Sequence, residues 1–67
     1  MKLVSNCLAV CEEFTDDILI DSKRNSIILN VDQQWYELLD ERLKKMGCTL
    51  IHRSALGWTF TCVYVLS

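Results

Sequence analysis

The sequence contains no proline and only two glycines, Gly47 and Gly57. These two residue types punctuate linkers and irregular loops, so their scarcity excludes long hinges and leaves regular elements joined by short turns. No apolar run approaches the roughly 20 residues that cross a bilayer as a helix. Near the N-terminus the apolar stretch is broken by Ser5 and Asn6 and runs into Glu12 and Glu13, which speaks against a cleaved secretory signal. Residence in the cytoplasm is the expectation that follows. A dominant charge is missing too: seven basic residues stand against nine acidic ones, a formal net charge of −2. That balance favours solubility and lacks the basic field expected of proteins held chiefly by phosphates.

Histidine is nearly absent, with His52 the single imidazole. Without a second histidine, a glycine-rich phosphate loop or a nucleophile elbow, the common catalytic constellations are missing. No catalytic residue, no cofactor and no enzyme activity is therefore expected. A small hydrolase or toxin that uses His52 alone as general acid or base is the weakest of the readings considered.

Apolar residues, by contrast, are abundant. They make up 51% of a 67-residue chain, too many for a disordered segment and enough for one dense core. The expectation is a single α+β domain over residues 1–67: a small two-layer sandwich with an antiparallel sheet of about four strands, made of two hairpins. A central helix lies on one face and an N-terminal helix accompanies it, in the order αββαββ.

The clearest helix signal runs from about Gln33 to Met46. Trp35, Leu39, Leu43 and Met46, flanked by Tyr36 and Leu38, form a stripe at helical spacing. Asp32 is expected as the N-cap. Asp40 with Lys44 and Glu41 with Lys45 are i,i+4 pairs in the favourable order, and Gly47 supplies a left-handed residue to end the helix. After it, residues 48–54 and 58–66 read as a hairpin, the second run being rich in β-branched and aromatic residues. A three-residue loop with Gly57 at its left-handed position fits a type I turn with a glycine bulge. That register places Ser54 opposite Trp58 and His52 opposite Phe60. Cys48, Leu50, His52, Trp58, Phe60, Cys62, Tyr64 and Leu66 would then share the core face, leaving Arg53 on the other.

Upstream, residues 17–21 and 26–31 form two apolar runs around the polar segment Ser22 to Asn25. Consecutive apolar positions suggest central strands covered on both sides. The first fourteen residues are ambiguous. Leu3, Cys7, Val10, Cys11 and Phe14 fit a helix face, while Val4, Leu8 and Val10 partly fit a strand. The helix is the expectation, although Glu12 and Glu13 would lie at its unfavourable end.

Four cysteines, Cys7, Cys11, Cys48 and Cys62, would suggest two disulfides in a secreted protein. Without an export signal they are expected as reduced, buried, small hydrophobes, with an oxidised pair as the alternative. Cys7 and Cys11 share a helix face at a spacing that can chelate a metal. However, Cys48 and His52, four residues apart on a strand, would be separated by about 13 Å, and paired CxxC knuckles are lacking. No metal site is expected. Asp16, Asp17 and Asp21 do not follow a calcium-loop spacing.

A compact, mildly acidic domain without a chemical site has mainly its surface to offer. The expected function is a small protein-binding regulator or inhibitor, in the manner of accessory proteins of viruses and mobile elements. Leu56, Trp58 and Arg53 around the second hairpin tip, or a free strand edge, are the expected contact points. A second copy of the chain is one candidate partner, since a small chain with surplus apolar surface gains by covering it. The alternative of a different class is a nucleic-acid-binding module using a local patch of Lys23, Arg24, Lys44, Lys45 and Arg53.

Overall fold

The structure is a computed structural model that describes the backbone of residues 2–66 and the side chains of residues 5–66. The elements run α1 (Lys2–Glu12), β1 (Ile18–Asp21), β2 (Ser26–Asp32), α2 (Gln33–Lys45), β3 (Thr49–Leu56) and β4 (Thr59–Val65). The αββαββ order is the expected one. The strands form one antiparallel sheet in the order β1-β2-β4-β3, so each hairpin contributes one central and one edge strand.

The core lies between the sheet and both helices. Ile27, Leu29 and Val31 of β2 and Cys62 and Tyr64 of β4 meet Tyr36, Leu39 and Leu43 of α2 and Cys7 and Cys11 of α1. Alternation along the strands explains which residues take part, because Val31 pairs with Phe60, Leu29 with Cys62 and Ile27 with Tyr64. On α2 the buried set is Tyr36, Leu39 and Leu43, spaced i, i+3, i+7. The expected stripe is corrected at its first member, since Trp35 is 44% exposed. Of two adjacent aromatics only one can share the helical phase of Leu39 and Leu43, and that one is Tyr36.

The N-terminal segment resolves as a helix. Cys7 and Cys11 are fully buried, with Val10 and Phe14 packed against the core; the side chain of Leu3 lies outside the described residues. The carboxylate of Glu13, just past the negative end of α1, is met by the guanidinium of Arg42 at 2.8 Å. That guanidinium also lies 5.6 Å from the centroid of the Phe14 ring. The unfavourable dipole position is thereby offset by a cation from α2.

The ends of α2 differ in kind. At its C-terminus Gly47 adopts φ 89, its N–H donates to the carbonyl of Lys44, and that of Cys48 donates to Leu43. This is a Schellman motif, which satisfies carbonyls the last turn would otherwise leave open. At its N-terminus the expected side-chain cap is not formed: Asp32 is extended and its carboxylate makes no capping bond. Asp32 is the last residue of β2, paired with Thr59, so strand passes to helix with no loop between. The N–H of Gln33 donates instead to the Trp58 carbonyl at 2.8 Å.

The expectation that the first hairpin is covered on both sides is corrected. β2 is central, but β1 is a four-residue edge strand. Both helices lie on the same face, and Leu19 on the other is 63% exposed. Among the described residues no element lies over that second face. Its rung Leu19, Ile28, Val63, His52 crosses all four strands. In the turn between β1 and β2, one carboxylate oxygen of Asp21 accepts from the N–H groups of Lys23 and Arg24, and Asn25 takes the left-handed conformation that asparagine tolerates.

Candidate functional site

The register of the second hairpin decides what the surface offers, and it differs from the expected one. Leu56 pairs with Thr59, so the connection is the two-residue turn Gly57-Trp58. Gly57 has φ 62 and Trp58 is not left-handed, the pattern of a II′ turn with glycine first. Ala55 therefore faces Phe60, Ser54 faces Thr61, Arg53 faces Cys62 and His52 faces Val63. Shortening the loop by one residue reverses the facing of every side chain on β3 near the tip. His52 and Ser54 move to the open face and Arg53 to the helix side. An irregularity between Leu50 and His52 then restores the facing, so that Leu50 and Cys48 contribute to the core as expected.

Trp58 and Leu56 stand at the end of this hairpin, 84% and 83% exposed, the two most exposed large apolar side chains among the described residues. The tip is nevertheless fixed. Besides the bond from the Gln33 N–H to the Trp58 carbonyl, the side-chain amide of Gln33 donates to the Gly57 carbonyl at 2.8 Å. Two hydrogen bonds thus tie the turn's backbone to the start of α2 while both apolar side chains remain in solvent. Beside Trp58 lies a shallow groove of about 540 Å³ lined by Asp32, Gln33 and Gln34.

Behind the tip, Arg53 lies across two rings. Its guanidinium is 5.1 Å from the centroids of both Tyr36 and Phe60, within the range of cation–π attraction, and the two rings meet edge to face at 4.9 Å. Along this flank an open cleft of about 560 Å³ separates α2 from β3, with Tyr36, Asp40 and Lys44 on one wall and Leu50 and Arg53 on the other. The hydroxyl of Tyr64 reaches its rim from the core and donates to Asp40 at 2.6 Å, while the Lys44 ammonium lies 2.9 Å from the same carboxylate. Burial alone would raise the Asp40 pKa. The hydrogen bonds from Tyr64 and Lys44, with the charges of Lys44 and Arg53, outweigh it and hold the carboxyl below its ordinary value. Burial, then the bond to Asp40, pushes the Tyr64 phenol well up. Tyr64 thus remains a neutral donor, and the network fixes α2 to β4.

The basic residues are not brought to one place. Lys44 and Arg53 share the cleft, whereas Lys23 and Arg24 sit in the β1–β2 turn, at the far edge of the sheet from β3. Most of these cations already face a carboxylate: Arg24 lies 3.8 Å from Asp21, Lys44 is held by Asp40, and Lys45 lies 3.4 Å from Glu41.

The four cysteines are free thiols and all are buried. Burial is the leading cause that pushes the Cys11 and Cys48 thiols up to about 12 and the Cys62 thiol up to about 11, so these three are protonated at neutral pH. Among the described residues no three of His, Cys, Asp or Glu are grouped to hold a metal ion, and no helix is long and apolar enough to cross a membrane. His52 is exposed, on the opposite sheet face from the thiols. Sequence reasoning missed the contact of Cys7 with Cys48 and the role of Gln33 as an anchor for the tip. Neither has a local signal, since both join residues distant in the chain. Comparison with protein-family models, with curated proteins and with solved structures finds no match.

Proposed function

We propose that the chain is a small, cytoplasmic, protein-binding regulator or inhibitor that acts through the tip of the β3–β4 hairpin and performs no catalysis. The observation that carries this reading is the pairing of exposure with fixation at Trp58. The side chain is 84% exposed, yet the backbone that presents it is bonded to α2 at Gln33. A flexible apolar tip would lose conformational freedom on docking, and holding it beforehand removes part of that cost. Tryptophan is among the side chains that most often dominate a protein interface. Leu56 extends the same apolar tip, and Arg53 behind it supplies a charged edge.

The test is a capture experiment from the native host, with the intact protein and a Trp58→Ala variant as baits. The reading expects proteins retained by the intact bait, resistant to nuclease and to moderate salt, and at least roughly 30-fold depleted on the variant, as for loss of about 2 kcal/mol at an interface anchor. Equal capture by the two baits contradicts it. Capture that vanishes with nuclease, or falls steeply from low to moderate salt, would favour the nucleic-acid alternative.

A further inference from the structure

The functional reading makes no use of the thiols, and two of them touch. The sulfur of Cys7, on α1, lies 3.3 Å from that of Cys48, 41 residues further along the chain. Cys48 directly follows Gly47, and its N–H closes the Schellman motif of α2. We propose that Cys7 and Cys48 form a disulfide-forming modification site, oxidised by low-molecular-weight disulfides of the glutathione class, which locks α1 onto the junction between α2 and β3.

The contact selects this pair over the other combinations. Cys7 and Cys11 lie four residues apart on one helix face, where β-carbons are about 5–6 Å apart, whereas a disulfide needs about 3.5–4.5 Å. Joining them would require α1 to unwind. Cys62 sits mid-strand in β4, paired with Leu29 and Arg53. Cys7 and Cys48 already make a thiol–thiol hydrogen bond, and closing it to a covalent bond of about 2.05 Å asks for a small approach of a helix and a turn. In the reaction one thiol, as its thiolate, attacks a sulfur of the small disulfide, forming a mixed disulfide and releasing one small thiol. The second protein thiol loses its proton, attacks the protein sulfur of the mixed disulfide and releases the other small thiol. The two cysteines lose two electrons and two protons, and the reagent becomes two thiols.

Burial keeps both thiols from the reagent in the closed molecule and disfavours the thiolate of Cys48. Reaction therefore proceeds through opening of α1 from the sheet, is slow, and speeds up with rising pH. Once formed, the bond closes a long loop and raises stability through the unfolded state.

The experiment treats the folded wild-type protein with oxidised glutathione at mildly alkaline pH, followed by intact mass, peptide mapping of the unreduced digest and thermal unfolding. The expected product is a monomer lighter by two hydrogens, with the Cys7 and Cys48 peptides linked, two thiols still free, and a midpoint raised by on the order of 10 °C. Reduction reverses all three. Cys62→Ala should leave the product unchanged and Cys48→Ala should abolish it. Mapping on the wild type keeps the test decisive even if Cys48→Ala fails to fold. A link between any other pair, a stable glutathione adduct, an intermolecular product, or four thiols that stay reduced would each overturn the proposal.

Discussion

Around Cys62 and Tyr64 the β3–β4 hairpin lies beneath α2 and closes the core, while at its other end the same two strands carry Leu56 and Trp58 into solvent. Both ends are made of apolar and aromatic residues, so composition does not distinguish them. What distinguishes them is facing and the place where α2 begins: Leu56 pairs with Thr59 and so shares the open sheet face with Ser54 and His52, while Trp58 lies in the turn past the last rung. The helix starts at Gln33, directly after the Asp32–Thr59 pair, and runs back over the sheet toward Gly47. One rung inside that point, on the helix side, Val31 is buried and Phe60 half-buried, whereas Trp58 beyond it stays in solvent. A strand that enters a helix without a loop thus leaves the neighbouring turn bare, and the amide groups of Gln33 hold that turn in place.

The largest expected contrast comes from truncating an apolar side chain at each end of this division. Leu39→Ala removes a fully buried side chain and should cost about 2–5 kcal/mol in urea unfolding, whereas Leu56→Ala should stay within roughly 0.5 kcal/mol of wild type. A smaller effect is expected from Tyr64→Phe. It keeps the ring but removes the hydroxyl that donates to Asp40, a bond to a charged acceptor worth about 1.5–3 kcal/mol, readable as a lower thermal midpoint with the fold retained. Gly57→Ala sharpens the account of the turn. An added methyl group would meet no atom within 4 Å, so the φ of 62 alone sets the cost, about 1 kcal/mol. An unchanged midpoint would mean that the turn is not held in the II′ conformation.

The smallest expected effect is in the pH dependence. The Asp40 carboxyl is held below its ordinary value in the folded protein. Its contribution is therefore fully present above the unfolded pKa of about 3.9 and is lost as pH falls through the lower folded value. Asp40→Asn should flatten the acid limb of stability measured by unfolding at successive pH values. An identical limb in the variant would assign the acid sensitivity to other carboxylates.

Much of the fold was legible from short-range patterns. The periodicity from Gln33 onward, the charge pairs at i,i+4 and Gly47 each mark α2 independently, and all three were formed. The facing of β3 was not legible, because a left-handed glycine suits both a three-residue bulged loop and a two-residue turn. Choosing between them by one residue exchanges Arg53 for His52 on the core side. Trp35 and Tyr36 posed the same difficulty on the helix, where adjacent aromatics differ only in phase. The pairing of β2 with β4, which makes β1 and β3 the edges, depends on contacts far apart in sequence and has no local marker. Of the surface residues, the exposure of Trp58 and Leu56 follows from their place beside the turn glycine, and their anchoring at Gln33 does not.

The division between a covered core and a bare tip is tested most directly by urea unfolding of the double variant Leu56→Ser, Trp58→Ser. Two large apolar side chains are replaced by polar ones, and a midpoint and slope unchanged to within about 0.5 kcal/mol are predicted. A loss of about 2 kcal/mol or more would mean that these side chains hold the fold together and are not free for a partner.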